Sequence, residues 1–206
     1  MSNTAKRILT SAAMIAVIGA AAYFGLVQWL ATAVAVGMAA ELAICAIRAK
    51  TKPGPALSII LALYSALFIL SAYTAGGMPF GLLFLLVTIA AADTGAWFFG
   101  TLIGGDKMWE RISAGKTWSG QIAGIICGTL AAMIYSYIFL PGMLTWMGLG
   151  VSLLSQYGDL TASAIKRKLN IKDFGKCLPG HGGLMDRFDG WIFVLPIIWL
   201  CIATQG

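Results

Sequence analysis

The sequence predicts an all-α, polytopic membrane protein of about seven transmembrane helices with a cytoplasmic N-terminus, and three observations predict it. Of 206 residues, 59% are hydrophobic and only 11% are charged, against roughly 25% charged in a soluble domain. Mean hydropathy is +0.86 across the whole length, so lipid is the chain's main solvent. The Lys and Arg residues, 14 in all, fall only in alternate loops between apolar runs. This composition excludes disorder, collagen and coiled coil.

A bilayer core about 30 Å thick needs about 20 apolar residues per helix. Seven apolar runs free of Lys and Arg approach or exceed that length: Ile8 to Phe24, Val27 to Ile47, Ala56 to Thr74, Phe80 to Leu102, Gln121 to Leu140, Leu144 to Ile165 and Gly190 to Thr204. Helices follow, because unpaired amides in hydrocarbon are costly and no barrel-like alternation is visible. The first run, with Lys6 and Arg7 ahead of it and Ala20 to Ala22 near its end, has features of a cleavable signal peptide. A second run follows directly after Gly25, so a helical hairpin fits better.

Orientation comes from the cations. One side of the membrane receives Lys6, Arg7, Arg48, Lys50, Lys52, Lys107, Arg111, Lys116, Lys166, Arg167, Lys168, Lys172, Lys176 and Arg187, whereas the turns at Gly25, Gly76 to Pro79 and Pro141 to Thr145 receive none. The positive-inside rule makes the first side cytoplasmic. The net charge of +6 is thereby explained by the membrane rather than by nucleic acid. A single integral membrane domain over 1–206 is expected, with N-terminal helices in 1–79 and the chemically unusual helices and loops in 80–206. The cysteines at 45, 127, 177 and 201 have no paired spacing, which argues against a disulfide framework or a zinc site.

Acidic groups at membrane depth cost about 2.5 to 3.5 kcal/mol on insertion scales, so each needs a partner or a purpose. Asp93 interrupts an apolar run and is expected to face a polar cavity; a carboxyl satisfied by a neighbouring helix is the other reading. For Glu41, near the end of its helix and close to Arg48, the structural reading is preferred. Ser155, Asp159, Ser163 and Lys166 follow at spacings of four, four and three, which places them on one helical face.

The segment from Lys166 to Asp189 brings Lys166, Arg167, Lys168, Lys172, Lys176 and Arg187 onto the glycine-rich Pro179-Gly180-His181-Gly182-Gly183 backbone. Cations beside bare N–H donors suit several phosphate groups. Asp186 and Asp189, three apart at a helix start, would present two hard oxygens to a Mg²⁺ ion that bridges to phosphate. A basic patch for anionic lipid explains the lysines and leaves the aspartates and the turn without a reason. His181, the only histidine, is better suited to a phosphate or turn hydrogen bond than to general base or metal ligand. In the other long cytoplasmic loop, Gly115-Lys116-Thr117 fails as a P-loop, since Glu110 stands where a glycine is required. Ser113, Lys116 and Thr117 remain a phosphate-contacting set, with a purely structural loop as the alternative.

Taken together, Ser163, Lys166-Arg167, Lys172-Asp173, His181-Gly182-Gly183 and Asp186-Arg187-Phe188-Asp189 resemble the signature of the phosphatidate cytidylyltransferase (CDP-diacylglycerol synthase) family. Gly158-Asp159, Asp93-Thr94-Gly95-Ala96 and Lys116-Thr117-Trp118 extend the resemblance over Phe80 to Asp189. Ala114 and Ser119 depart from the family's proline and glutamate. The chain is also shorter than typical members by one or two helices between Glu41 and Phe80, which leaves open whether a second copy, in a homodimer, supplies them.

The resemblance implies transfer of the cytidylyl group of CTP to phosphatidate, at a cytoplasmic site of a bacterial inner-membrane protein. It assigns Asp159, Asp186 and Asp189 to metal, with Mg²⁺ and room for a second ion. Lys166 and Arg167 join these as catalytic residues. Ser163, Lys172, His181, Gly182, Gly183, Arg187, Lys116, Thr117 and Asp93 are expected to meet substrate. Membrane lipid is the remaining expected partner. The same transfer onto an isoprenoid or ether-lipid phosphate is the main alternative. A cation transporter using Asp93, Glu41 and Asp159 is more distant, since it gives the phosphate-friendly loop no use. A CDP-alcohol phosphotransferase is excluded because Asp189-Gly190 runs on into Trp191-Ile192-Phe193.

Overall fold

The computed structural model describes residues 3–48, 55–76, 79–139, 146–179 and 182–203. Among them lie seven helices and one hairpin: α1 (Asn3–Tyr23), α2 (Val27–Arg48), α3 (Pro55–Gly76), α4 (Pro79–Ile103), β1 (Lys107–Trp109), β2 (Ser113–Thr117), α5 (Trp118–Phe139), α6 (Trp146–Lys168) and α7 (Trp191–Ala203). Each of the seven apolar runs falls on one helix. Among the described residues, three helices are long and apolar enough to cross a membrane, over Val27–Ile47, Phe80–Ile103 and Trp118–Phe139. The protein is accordingly a helical integral membrane protein. At 13 residues, α7 extends only about 20 Å, and the polar face of α6 lowers its mean apolarity.

The contacts divide the chain into two compact units. One comprises Met1–Pro79, Lys166–Phe188 and Leu195–Gly206; the other comprises Phe80–Ile165 and Asp189–Val194.

In the first unit, α1 ends at Gly25, which adopts a left-handed φ of 69°. Leu26 N–H reaches back to Ala21 O at 2.7 Å and Gly25 N–H to Ala22 O at 3.4 Å, a paired bond pattern that closes the last turn and admits only a residue tolerant of positive φ. The helical hairpin expected there is present. Helix α2 then packs on α3 through buried Ala35, Met38, Phe68 and Ala72, with Trp29 edge-on to Tyr73 at 6.1 Å. At the far end of α6, Asn170 takes φ 54°. Ile171 N–H donates to Lys166 O at 3.0 Å, so the chain turns sharply after the basic residues of the last helical turn.

In the second unit, one stripe of α5 built from Gly120, Gly124, Gly128 and Ala132 is buried. Its spacing of four matches Thr88, Ala92, Ala96 and Gly100 on α4, and backbones approach closely where both helices are small. A side chain at Gly124 would put its Cβ 2.7 Å from Ala92 O and 2.5 Å from Gln156 Nε2. Gln156 of α6 donates to Gln121 O at 3.3 Å, so α4, α5 and α6 lock along one seam.

The hairpin departs from the all-α expectation. β1 and β2 are antiparallel, with Lys107 opposite Thr117 and Trp109 opposite Ser113. Neither strand carries an apolar alternation; the hairpin is set by the left-handed pair Gly104 and Gly105 and by the start of α5. There Thr117 Oγ1 accepts Gly120 N–H at 3.2 Å, a helix N-cap, while Ser119 Oγ donates to Gly104 O. The serine that departs from the family's glutamate therefore ties the hairpin to α4.

The seam yields a prediction. Gly124→Ala should lower the thermal stability of the detergent-solubilised protein by about 1 to 3 kcal/mol, the usual cost of overpacking. Gly150→Ala, which meets nothing within 4 Å, should be neutral or slightly stabilising.

Candidate active site

The polar residues gather into two clusters, one in each unit. In the Phe80–Ile165 unit, β2 delivers Lys116 onto α6, where its Nζ lies 2.6 Å from Asp159 Oδ2, with side chains 24% and 31% exposed. Ser163 Oγ, one turn along α6, donates to Asp159 Oδ1 at 3.4 Å. Asp93 of α4 lies within electrostatic range of both Lys116 and Asp159. The face expected from the Ser155, Asp159, Ser163 spacing is real, although Ser155 is wholly buried and donates to Ser152 O at 3.0 Å. Thr117 is also buried, and its hydroxyl caps α5. Gly158 permits the backbone at Asp189 and Gly190 to press against α6: a Cβ there would lie 2.6 Å from Asp189 O. Asp189 Oδ1 accepts Gly190 N–H at 2.9 Å, next to the N-terminus of α7, where the helix dipole favours a negative charge.

In the other unit, Lys166 and Asp186 form a buried ion pair, Nζ to Oδ1 at 3.0 Å, with side chains 15% and 5% exposed. Asp186 Oδ2 also accepts Phe174 N–H at 2.8 Å and Gly183 N–H at 3.0 Å. Lys166 Nζ stands 5.4 Å from the centre of the Phe174 ring, a cation–π arrangement. Removing one partner of such a buried pair costs about 3 to 5 kcal/mol because the other charge is left uncompensated. Gly182 has φ 89°, and a Cβ on it would lie 3.0 Å from Asp186 Oδ2 and 3.4 Å from Asp173 Oδ1. Two carboxylates thus border the bare glycine. Leu178 N–H donates to Gly182 O at 2.8 Å and closes the loop. Lys172 and Arg187 are exposed on this loop, as is Arg167 at the end of α6; His181 lies outside the described residues.

Sequence reasoning assigned the glycine-rich amides to phosphate. In the folded loop, one of these N–H groups, that of Gly183, and the two amides that follow it go to the protein's own carboxylates. Gly183 N–H serves Asp186, while Leu184 and Met185 N–H donate to Glu41 Oε1 and Oε2 at 3.1 and 2.9 Å. Glu41 is therefore satisfied structurally, as expected, by backbone amides far away in sequence. It was missed as part of the site, although Gly37, Glu41 and Cys45 at spacings of four mark one face of α2.

Carboxylate oxygens such as those of Asp159, Asp186 and Asp189 are the donor type that hard divalent ions take. A carboxylate has about four acceptor positions; Asp186 uses three and Asp159 two in the bonds above, and each is already matched to an ammonium group. Among the described residues no three His, Cys, Asp or Glu side chains draw together as a ready metal cluster.

Residues 13–205 match the cytidylyltransferase family. The chain is 41% identical over 121 residues to a phosphatidate cytidylyltransferase of Staphylococcus aureus (strain COL), a stretch covering 57% of this chain and 46% of that protein. The same-named proteins of Staphylococcus epidermidis (strain ATCC 35984) and Staphylococcus saprophyticus subsp. saprophyticus (strain ATCC 15305) are 41% and 39% identical over matches of the same extent. The chain spans about half the length of the curated relatives it matches.

One titration follows from this geometry. Glu41, by a hydrogen bond and by its charge, holds the exposed Cys177 thiol above its ordinary pKa. A raised pKa means less thiolate at a given pH, so iodoacetamide should modify Cys177 slowly at pH 8 and its pH profile should lie above that of a free cysteine. Glu41→Gln should move the profile down and speed the reaction several-fold, read by peptide mass spectrometry at Cys177 alone.

Proposed function

The chain belongs to the cytidylyltransferase family, and on that premise we propose that it transfers the cytidylyl group of CTP to phosphatidate, forming CDP-diacylglycerol and pyrophosphate. The observation that carries this reading is the buried Lys166–Asp186 pair within the loop whose residues match the family signature. A phosphate oxygen of phosphatidate attacks the α-phosphorus of CTP; a P–O bond forms there, and the bond to the β-phosphate breaks as pyrophosphate leaves. The nucleophile's second pKa is near 6, so it is largely ionised at neutral pH and needs little help from a general base. The chain's task is to bring two polyanions together and align them. Lys116, Lys166, Arg167, Lys172 and Arg187 are the cations read as contacting CTP and lipid phosphates, with Ser163, Gly182, Gly183 and His181 as further contacts and Asp93 completing the polar lining. Asp159, Asp186 and Asp189 are read as the residues that would hold Mg²⁺, which when bound neutralises phosphate charge and steadies the leaving group.

The placement of all 14 Lys and Arg residues in alternate loops supports seven crossings, a cytoplasmic N-terminus and a cytoplasmic site. The bacterial relatives support a bacterial cell membrane as its location; an inner membrane is the reading carried by the sequence resemblance alone. CTP then arrives from the cytoplasm, and the acyl chains of phosphatidate stay in the bilayer.

Purified protein supplied with labelled CTP and Mg²⁺ should release pyrophosphate only when phosphatidate is present, and chelation should stop the reaction until Mg²⁺ is restored. Asp186→Asn should lower the rate more than about a hundredfold while the protein stays monodisperse. Undiminished turnover in that variant would remove Asp186 from the site. Turnover with an isoprenoid phosphate and none with phosphatidate would reassign the acceptor.

A further inference from the structure

Three residues of helix α2, each one turn from the next, engage the signature loop, and Glu41, for which the sequence favours a structural role, is the middle one. At Gly37 the missing side chain leaves room for Leu184, whose Cδ1 lies 2.5 Å from where a Cβ would stand. At Glu41 both carboxylate oxygens are taken by consecutive amides, Leu184 and Met185, and the residue is only 7% exposed. At Cys45 the thiol donates to Phe174 O at 3.0 Å. The loop is shaped to receive this face: Gly175 and Gly183 both lie against the Glu41 carboxylate, where any Cβ would collide with it.

Three successive amides are therefore divided between two carboxylates, Gly183 to Asp186 and the next two to Glu41. Phe174 is held on both sides, its N–H by Asp186 and its carbonyl by Cys45, with its ring beside Lys166. A turn fixed at so many adjacent points moves as one piece. If Glu41 lets go, Gly183 N–H and Asp186 shift with the turn, and Lys166 loses the geometry of its pair.

We propose that Glu41 is a positioning residue for the transfer site: its two-amide clamp holds the Gly182–Met185 turn in the shape that presents Asp186 and Lys166. The kinetic part of this proposal rests on the cytidylyl-transfer reading; the clamp itself does not. Glu41→Gln is the informative variant, since it keeps the shape and one acceptor oxygen but turns an N–H donor toward an amide that needs an acceptor.

The test compares full-length wild type, Glu41→Gln and Glu41→Ala in the same detergent, by amide hydrogen exchange and by steady-state kinetics with CTP and phosphatidate. Exchange at Leu184 and Met185 should rise more than about tenfold in Glu41→Gln, while peptides from α5 keep the wild-type rate. kcat should fall about 10- to 100-fold, as expected for misplacement of reacting groups, with KM for CTP changed less than about threefold. Glu41→Ala should lose at least as much; if it does not fold, Glu41→Gln decides alone. Unchanged exchange at the two amides, a rise spread equally over α5, or wild-type kcat in Glu41→Gln would each overturn the proposal. A wild-type chain that releases no pyrophosphate, while Glu41→Gln still frees those two amides, would overturn the cytidylyl-transfer reading and support the clamp.

Discussion

Charge in an apolar chain is the constraint on which the rest of this structure depends. A carboxylate removed from water must be given hydrogen-bond donors or a counter-charge, or it will not stay ionised. Three carboxylates meet that demand within the fold: Asp159 through Lys116 and Ser163, Asp186 through Lys166 and two amides, Glu41 through two more amides. The loop after α6 owes its shape to these bonds. Apart from the isolated bridge at Leu178 and Gly182, its described residues have no regular secondary structure, so carboxylates do for its backbone what a helix or sheet ladder does elsewhere.

Packing in the second unit solves a different problem by the same economy of groups. In lipid no hydrophobic force draws apolar helices together, and close contact between small residues takes its place. The α5 glycines let α4 and α6 approach to backbone distance, which brings polar Gln156 and Ser152 into the interior and holds the α6 face bearing Asp159 and Ser163. The hairpin brings a cation to Asp159 on this face. Lys116 reaches Asp159 because Thr117, next in sequence, is fixed as the cap of α5.

Both clusters suit chemistry between anions. Lysine ammonium groups beside aspartates make neutral pairs in this structure, and on the proposed reading the same groups would supply the charges that a polyphosphate and a metal ion require. Glycine has two separate uses here that a motif does not distinguish. Gly182 supplies a left-handed turn bordered by two carboxylates, whereas Gly175 and Gly183 make room for the side chain of Glu41.

Local pattern was enough to locate each described helix, because an apolar run in lipid has one economical backbone state. The residue types of the loop from Lys166 to Asp189, and the family they belong to, were equally open to reading, since phosphate and metal chemistry restricts which groups will serve. The hairpin was not legible: its strands are too short for periodicity, and its turn at 110–112, closed by Ile112 N–H donating to Trp109 O at 3.0 Å, carries no glycine or proline to mark it. Nor was the destination of each charge. Whether Glu41 meets Arg48 or two amides 143 and 144 positions away, and whether the amide of Gly183 serves a substrate or Asp186, are matters of which groups come within about 3 Å of each other. Distances of that kind between segments remote in sequence are fixed only when the helices pack.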